Sequence, residues 1–264
     1  MKPFYTIFGI RLASYGSLIA LGIVVASLVY WYRKKEYPAD KETIFYSIVY
    51  GMIGGFIGAK LLYLITDFNF VIESFKNSKD IFTTLKNVLA GGYVFYGGII
   101  GALIALYIYA KKYKLNYLDI TDSMAPEVPL AHAFGRIGCF MAGCCYGMPW
   151  DSKFCVIFPK ESVGLSGVKL FPVQLLSSLG NVIIFIILFI YSKKDRSKGK
   201  VTGLYMMLYG VGRFLVEFLR YDDVRGHFLF FSTSQWISII LVPLGFILYK
   251  KGENLCKKTE ELKR

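Results

Sequence analysis

An all-α, polytopic membrane protein with about seven transmembrane helices is the fold class that this sequence predicts, and three observations predict it. Of the 264 residues, 55% are hydrophobic, and they gather into long blocks, a pattern too apolar for a soluble domain. Each block is about 20 residues, the length that crosses a hydrocarbon core of about 30 Å. The basic residues behind a formal net charge of +13 sit mainly between the blocks, where Lys and Arg set topology and meet anionic headgroups. A nucleic-acid binder concentrates such residues on one helix or arm of a polar fold, so nucleic acid is excluded as a partner.

The first block, 12–32, ends in Trp31-Tyr32-Arg33-Lys34-Lys35. A run of that length with a basic stop reads as a retained span, not a cleaved leader. Tyr15 lies just inside its outer end, at the depth of an interfacial anchor. The second block, 43–65, carries Gly51, Gly55 and Ala59 on one register and Gly54 and Gly58 on the next. The third, 90–110, repeats the spacing at Gly97, Gly101 and Ala105, and small residues four apart let helices pack closely in lipid. Tyr96-Gly97-Gly98 stands apart from that packing role, near mid-membrane beside a cluster of aromatics. Lys60 reads as a snorkelling side chain, with a cation for a cavity as the alternative.

The fourth block, 119–142, is interrupted by Pro126, Pro129 and repeated glycines, so it reads as a broken or re-entrant helix, which is tolerated only within protein or along a cavity. Blocks at 173–191, 201–219 and 233–249 complete the set. The connections after the first, third and fifth blocks, together with the tail, hold most of the Lys and Arg. The positive-inside bias then places the N-terminus outside and the C-terminus in the cytoplasm. The whole chain, 1–264, reads as a single transmembrane domain with an extracytoplasmic connection near 143–172 and a charged cytoplasmic tail from 250.

Arg136 lies within the apolar, small-residue run from Ala131 to Gly147. A charge there is costly unless it is paired or faces a wet cavity, so it marks a functional site. Gly135, Gly138, Gly143 and Gly147 accompany it and let backbone approach a neighbour or ligand. The sixth block supplies Tyr209, Arg213, Glu217 and Arg220, which fall within an arc of about 80° on a helix. Arg213 and Glu217, four apart, can pair; the open alternatives are a structural ion pair and a guanidinium face for an anionic substrate. His132 and His227 read as hydrogen-bonded helpers. The cysteines, Cys139, Cys144, Cys145, Cys155 and Cys256, are too unevenly placed for a disulfide framework. The spacing of Cys139, Cys144 and Cys145 matches no familiar zinc pattern. They read as small buried residues at a helix interface, with a metal or redox site as the alternative.

Taken together, Gly135-Arg136-Ile137-Gly138, the upstream Asp122 and Ala125-Pro126, the Tyr209 to Arg220 helix and Tyr15-Gly16 resemble the prolipoprotein diacylglyceryl transferase family. Members carry Gly-Arg-Ile-Gly-Asn-Phe-x-Asn-Gly-Glu-x-x-Gly, a His-Gly-Gly motif, Tyr-Gly-x-x-Arg-Phe-x-x-Glu-x-x-Arg and an early Tyr-Gly. Order and spacing agree over nearly the whole chain, and Tyr15, Arg136, Gly147, Tyr209, Arg213, Glu217 and Arg220 stand where that family has functional residues. The departures are Cys139 for Asn, Ala142-Gly143-Cys144 for Asn-Gly-Glu, and Tyr96-Gly97-Gly98 for His-Gly-Gly. The family's His-Pro-x-Gln-Leu-Tyr-Glu reads Phe171-Pro172-Val173-Gln174-Leu175-Leu176-Ser177.

The resemblance implies transfer of the diacylglyceryl group of phosphatidylglycerol to the lipobox cysteine thiol of a prolipoprotein signal peptide, releasing glycerol phosphate. The setting implied is a multi-pass protein of the bacterial cell membrane with its site facing the extracytoplasmic side, and no metal or organic cofactor. Arg136 and Arg213 would clamp the phosphate, with Glu217 and Arg220 ordering Arg213. Tyr15, Tyr96 and Tyr209 would line the headgroup cavity beside Cys139. Gly97, Gly98, Gly138 and Gly147 would allow close approach. Tyr96, and secondarily Glu217, are the candidates to assist thiol deprotonation. The lost Asn, Glu and His leave two other readings: the same donor with a glycan or lipid acceptor, and a membrane thiol or metal redox protein using Cys139, Cys144 and Cys145.

Overall fold

The computed structural model describes residues 3–7, 9–33, 35, 37–76, 80–160, 162–194, 196–221 and 227–261, and the side chains of 227–228 and 253–261, His227 and Cys256 among them, lie outside the description. The chain is mainly helical. Among the described residues, four helices are long and apolar enough to cross a membrane: α1 (Ser14–Arg33), α2 (Lys41–Thr66), α8 (Val173–Tyr191) and the first part of α10 (Thr233–Glu261). The distribution of polarity fits lipid as solvent. Leu28 is 64% and Ile65 71% exposed, whereas Gln174, Ser47 and Ser123 are fully buried. In lipid an exposed apolar side chain costs nothing, and polar groups gain by turning inward toward partners.

Helix packing groups the chain into two compact units, residues 1–38 with 121–264 and residues 39–120. The first opens with a hairpin of β1 (Phe4–Ile7) and β2 (Ile10–Ala13), paired in register from Phe4 with Ala13 to Ile7 with Ile10. It feeds directly into α1. The expected break in the fourth block is present: α6 (Tyr117–Met124) stops and α7 (Glu127–Ala142) starts around Ala125-Pro126. Pro126 lacks an N–H to donate, and Pro129 sits in the first turn of α7, where none is needed. Helix α7 packs on α1 and α8, α8 packs on α9 (Lys200–Glu217), and α9 packs on α10.

Two buried polar side chains fasten this unit. Asp122, on α6, caps α9 from outside that helix: its carboxylate accepts from the Gly199 N–H at 2.6 Å, the Thr202 N–H at 2.8 Å and the Thr202 hydroxyl at 2.6 Å. Gly199 itself has no capping side chain, and a carboxylate at a helix N-terminus satisfies both orphan donors and the dipole. Arg33 carries a charge that sequence alone assigns to topology, yet it is only 2% exposed. It donates to the Phe189 carbonyl at 2.8 Å and stacks on the Phe189 ring at 4.1 Å, tying the end of α1 to the end of α8.

The connection from 143 to 172 holds the strand pair β3 (Val156–Ile157) and β4 (Lys169–Leu170), with a further bridge from Pro149 to Leu170. Phe158, Leu170 and Val173 are fully buried there, and Trp150 meets Phe171 edge-on.

The second unit is built on α2 and α5 (Phe95–Lys112), with α3 (Phe68–Lys76) and α4 (Ile81–Ala90) between them. Asp40 caps α2 by accepting from the Thr43 N–H at 2.8 Å, and Thr43 holds its carboxyl below the usual aspartate range. Of the two glycine registers on α2, it is Gly54 and Gly58 that interlock, with Gly97 and Gly101 of α5; a Cβ on Gly58 or Gly97 would run into the other's carbonyl oxygen.

Two expectations are corrected here. The block drawn from residue 90 becomes helical only at Phe95, because the chain turns at Gly91-Gly92, with Gly92 at φ +68°. Tyr96 therefore lies in the first turn of α5, and Gly97 and Gly98 spend their small size on contact with α2. Lys60 neither snorkels nor enters a cavity: its ammonium donates to the carbonyls of Val88, Gly91 and Gly92 at the end of α4, between the rings of Tyr63 and Tyr93. Cationic capping of orphan carbonyls satisfies them and the helix dipole. Lys60→Met is expected to destabilise this end of α4 by about 1.5–3 kcal/mol, the worth of charged hydrogen bonds. Faster amide exchange at 88–93 in the variant checks it.

Candidate active site

The face of α9 predicted from spacing is realised. Arg213 Nη2 lies 2.7 Å from Glu217 Oε2, and Arg220 Nε approaches the same oxygen at 3.8 Å. Glu217 is thus held between two guanidiniums, its side chain 8% exposed and that of Arg220 4%. Its other oxygen, Oε1, accepts from the Ser232 hydroxyl at 2.9 Å, while Arg213 Nη2 donates to Ser234 Oγ at 2.8 Å.

Ser232 and Ser234 were not among the residues singled out from sequence. They are delivered by the start of α10, where the Ser232 N–H donates to Gln235 Oε1 at 3.0 Å and the Gln235 N–H to Ser232 Oγ at 3.3 Å. This is a reciprocal capping box. Its Ser-x-x-Gln spacing is the signal that could have found them.

Arg136 lies on α7, buried to 8% exposure. Its Nη1 is 3.8 Å from Cys139 Sγ, one turn on, while its buried Nε and Nη2 donors have no hydrogen-bond partner among the described residues. One turn before Arg136 is His132, whose ring centroid is 5.7 Å from that of Tyr209 on α9. His132 is within coulombic range of both Arg136 and Arg213. The sequence reading gave His132 only a helper's part; its four-residue offset from Arg136 was the available signal. Gly138 is pressed against Tyr15, where a Cβ would meet the Tyr15 backbone and ring at 3.2 Å. Beside Tyr15 a cleft of about 430 Å³ is lined by Tyr5, Ser14, Ser17, Leu18, Leu21 and Met141.

Gly147 is a crossing point of three chain segments. A Cβ there would meet the Phe171 oxygen at 2.6 Å and the Leu219 oxygen at 2.9 Å. Gly147 bridges to Arg220, Met148 donates its N–H to Leu219 at 3.0 Å, and Phe171 donates to Met148 at 2.9 Å. The end of α9, and with it the Arg220 backbone, is fixed by the segment that follows α7. Buried Gln174 survives from the family's fifth-block motif and holds the same segment, donating to the Cys144 carbonyl at 2.9 Å.

The first unit therefore brings together Tyr15, Arg136, Gly138 and Cys139 on α1 and α7, and Tyr209, Arg213, Glu217 and Arg220 on or just past α9. Among the described residues of this group, three guanidiniums stand against one carboxylate, a balance that suits an anion. Tyr96, Gly97 and Gly98 belong to the second unit, where Tyr96 is half-buried against Phe95.

Known proteins resemble this chain over nearly its whole length. The family model described as prolipoprotein diacylglyceryl transferase matches residues 3–250. The phosphatidylglycerol–prolipoprotein diacylglyceryl transferase of Clostridium tetani is 40% identical over 250 residues, covering 94% of this chain and 97% of that protein. Transferase 2 of Clostridium perfringens is 39% identical over 243 residues, covering 92% of each chain. The enzyme of Finegoldia magna is 32% identical over 258 residues, covering 97% of this chain and 98% of that one. The chain belongs to the prolipoprotein diacylglyceryl transferase family.

Proposed function

We propose that this protein transfers the diacylglyceryl group of phosphatidylglycerol to the lipobox cysteine thiol of a prolipoprotein. The observation that carries this reading is Arg136, a buried guanidinium in an apolar helix with two donor nitrogens, Nε and Nη2, that no described residue occupies. In the reaction the thiolate sulfur attacks the glyceryl carbon that bears the phosphate. A C–S bond forms, the C–O bond breaks, and glycerol phosphate leaves with the electron pair, while the thiol proton passes to a base.

Arg136 and Arg213 hold the phosphate and offset the charge that grows on the departing oxygen, an effect that is large in a water-poor site. Glu217, Arg220, Ser232 and Ser234 keep Arg213 in position. Tyr15 and Tyr209 line the headgroup region, with Cys139 and Gly147 at its edge, and the apolar cleft beside Tyr15 takes an acyl chain. Release of glycerol phosphate from phosphatidylglycerol, dependent on an added lipobox peptide, tests the reading, and release independent of the peptide would count against it.

By its place in the sequence motif alone, Tyr96 stands where the family has His and is the candidate to assist deprotonation of the incoming thiol, since the thiolate is the nucleophile. Tyr96→Phe is expected to lose most turnover, by about 10²-fold, the usual scale of general acid–base help. Wild-type turnover in that variant removes Tyr96 from the reaction.

The membrane arrangement proposed is seven spans with the N-terminus outside, the C-terminus cytoplasmic and the site open to the outer leaflet. Its support is the excess of Lys and Arg after the first, third and fifth apolar blocks and in the tail.

A further inference from the structure

We propose that Cys139, Cys144 and Cys145 form a binding site for one thiophilic metal ion of the zinc class. Their three sulfurs lie within 4.8 Å of one another, and none is in a disulfide. Sulfurs bonded to one such ion at about 2.3 Å lie about 3.8–4.0 Å apart, so sub-ångström adjustments close the site.

The local backbone explains the gathering. Gly143, at φ +73°, ends α7 in a left-handed cap, with the Cys144 N–H bonded to the Cys139 carbonyl at 3.1 Å and the Gly143 N–H to that of Phe140 at 3.2 Å. This is a Schellman motif, which sets the residue after the left-handed glycine against the residue five positions before it. Here those two residues are Cys144 and Cys139. The contact that commonly joins two hydrophobes thus joins two thiols, and the four-residue gap between them, unlike any zinc-finger spacing, acquires a geometric reason.

Cys145 then adopts φ +57°, a left-handed conformation uncommon for a side chain other than Gly or Asn. Neighbouring residues on an extended strand point to opposite sides; this turn brings the third sulfur to the same side as the other two. Backbone strain of this kind gathers at ligand clamps. The Cys144 carbonyl is anchored by buried Gln174 at 2.9 Å.

Charge is matched as well. Three thiolates around a divalent ion carry one net negative charge, and Arg136 Nη1 lies 3.8 Å from Cys139 Sγ. The three thiol protons pass to solvent on binding, and a soft ion is the class that thiolates select.

Metal binding does not depend on the transfer reaction, so its test needs no turnover. The purified, reduced, full-length protein is titrated with Cd²⁺ and followed by sulfur-to-metal charge-transfer absorbance. One Cd²⁺ per chain, displaceable by Zn²⁺, is expected in the wild type and in Cys155→Ser, and the band is expected to be lost in Cys145→Ser. Alkylation mapped by mass spectrometry provides a readout without substitutions: Zn²⁺ should shield Cys139, Cys144 and Cys145 but not Cys155. Absence of the band in the wild type, an unchanged band in Cys145→Ser, equal alkylation of all four thiols with and without Zn²⁺, or a stable Cys139–Cys144 disulfide in place of metal each overturns the proposal.

Discussion

Arg136→Ala is expected to lower kcat/KM for diacylglyceryl transfer by about 10²–10³-fold, or about 2.7–4 kcal/mol, the scale seen when one preorganised donor to a developing negative charge is removed. The loss should fall mainly on kcat, because charge on the departing phosphate oxygen is greatest in the transition state. Arg136→Lys separates charge from geometry. It keeps the cation but has no planar fork to place two N–H donors on one phosphate. If the two partnerless donors are the point of the residue, lysine recovers little of the lost rate. Full rescue by lysine would mean that only a positive charge is needed. Among the described residues Arg136 donates to no protein oxygen or nitrogen, so folding should be preserved in both variants, and a normal detergent elution profile checks this.

The second large effect is expected at Glu217. Glu217→Gln preserves shape and can still accept from Ser232, but it removes the counter-charge of both Arg213 and Arg220 in a site where Arg220 is 4% exposed. Removing one partner of a buried ion pair costs about 3–5 kcal/mol, mostly from the charge left behind. The variant should therefore unfold at lower temperature and lose transfer activity together. A second substitution distinguishes repulsion from lost packing. Arg213→Met combined with Glu217→Gln should regain much of the stability, because paired removal leaves fewer stranded charges, while activity stays low. A double variant as unstable as the sum of its parts would show that the pair is not energetically coupled.

Much of this site was legible in the sequence because it is local. The α9 face follows from helical spacing alone, and Arg213 and Glu217 meet as four-residue neighbours must. The break before α7 follows from Pro126 and Pro129. Helix α8 coincides with its apolar block because Pro172 precedes it and no glycine pair divides it.

What was not legible depends on distant partners. No local pattern says that Asp122 caps a helix beginning at Lys200, or that Lys60 closes the end of α4. The start of α5 at Phe95 was hidden because Gly91 and Gly92 sit within a continuous apolar run, where hydropathy outweighs a turn signal. Ser232 and Ser234 reach the ion pair only through the fold, although their capping box was present in the chain. The thiol cluster required the left-handed backbone at Cys145, which no spacing rule reveals.

The central claim is that this chain joins a phosphatidylglycerol-derived diacylglyceryl group to a cysteine sulfur, despite replacing the family's Asn, Glu and His. The most direct measurement is mass spectrometry of a lipobox peptide after incubation with purified protein and phosphatidylglycerol, alongside the same peptide with its cysteine changed to serine. A thioether-linked diacylglyceryl adduct is expected on the cysteine peptide alone, with one glycerol phosphate released per adduct. An adduct on neither peptide, with phosphatidylglycerol consumed in the presence of a glycan or another lipid, would contradict it.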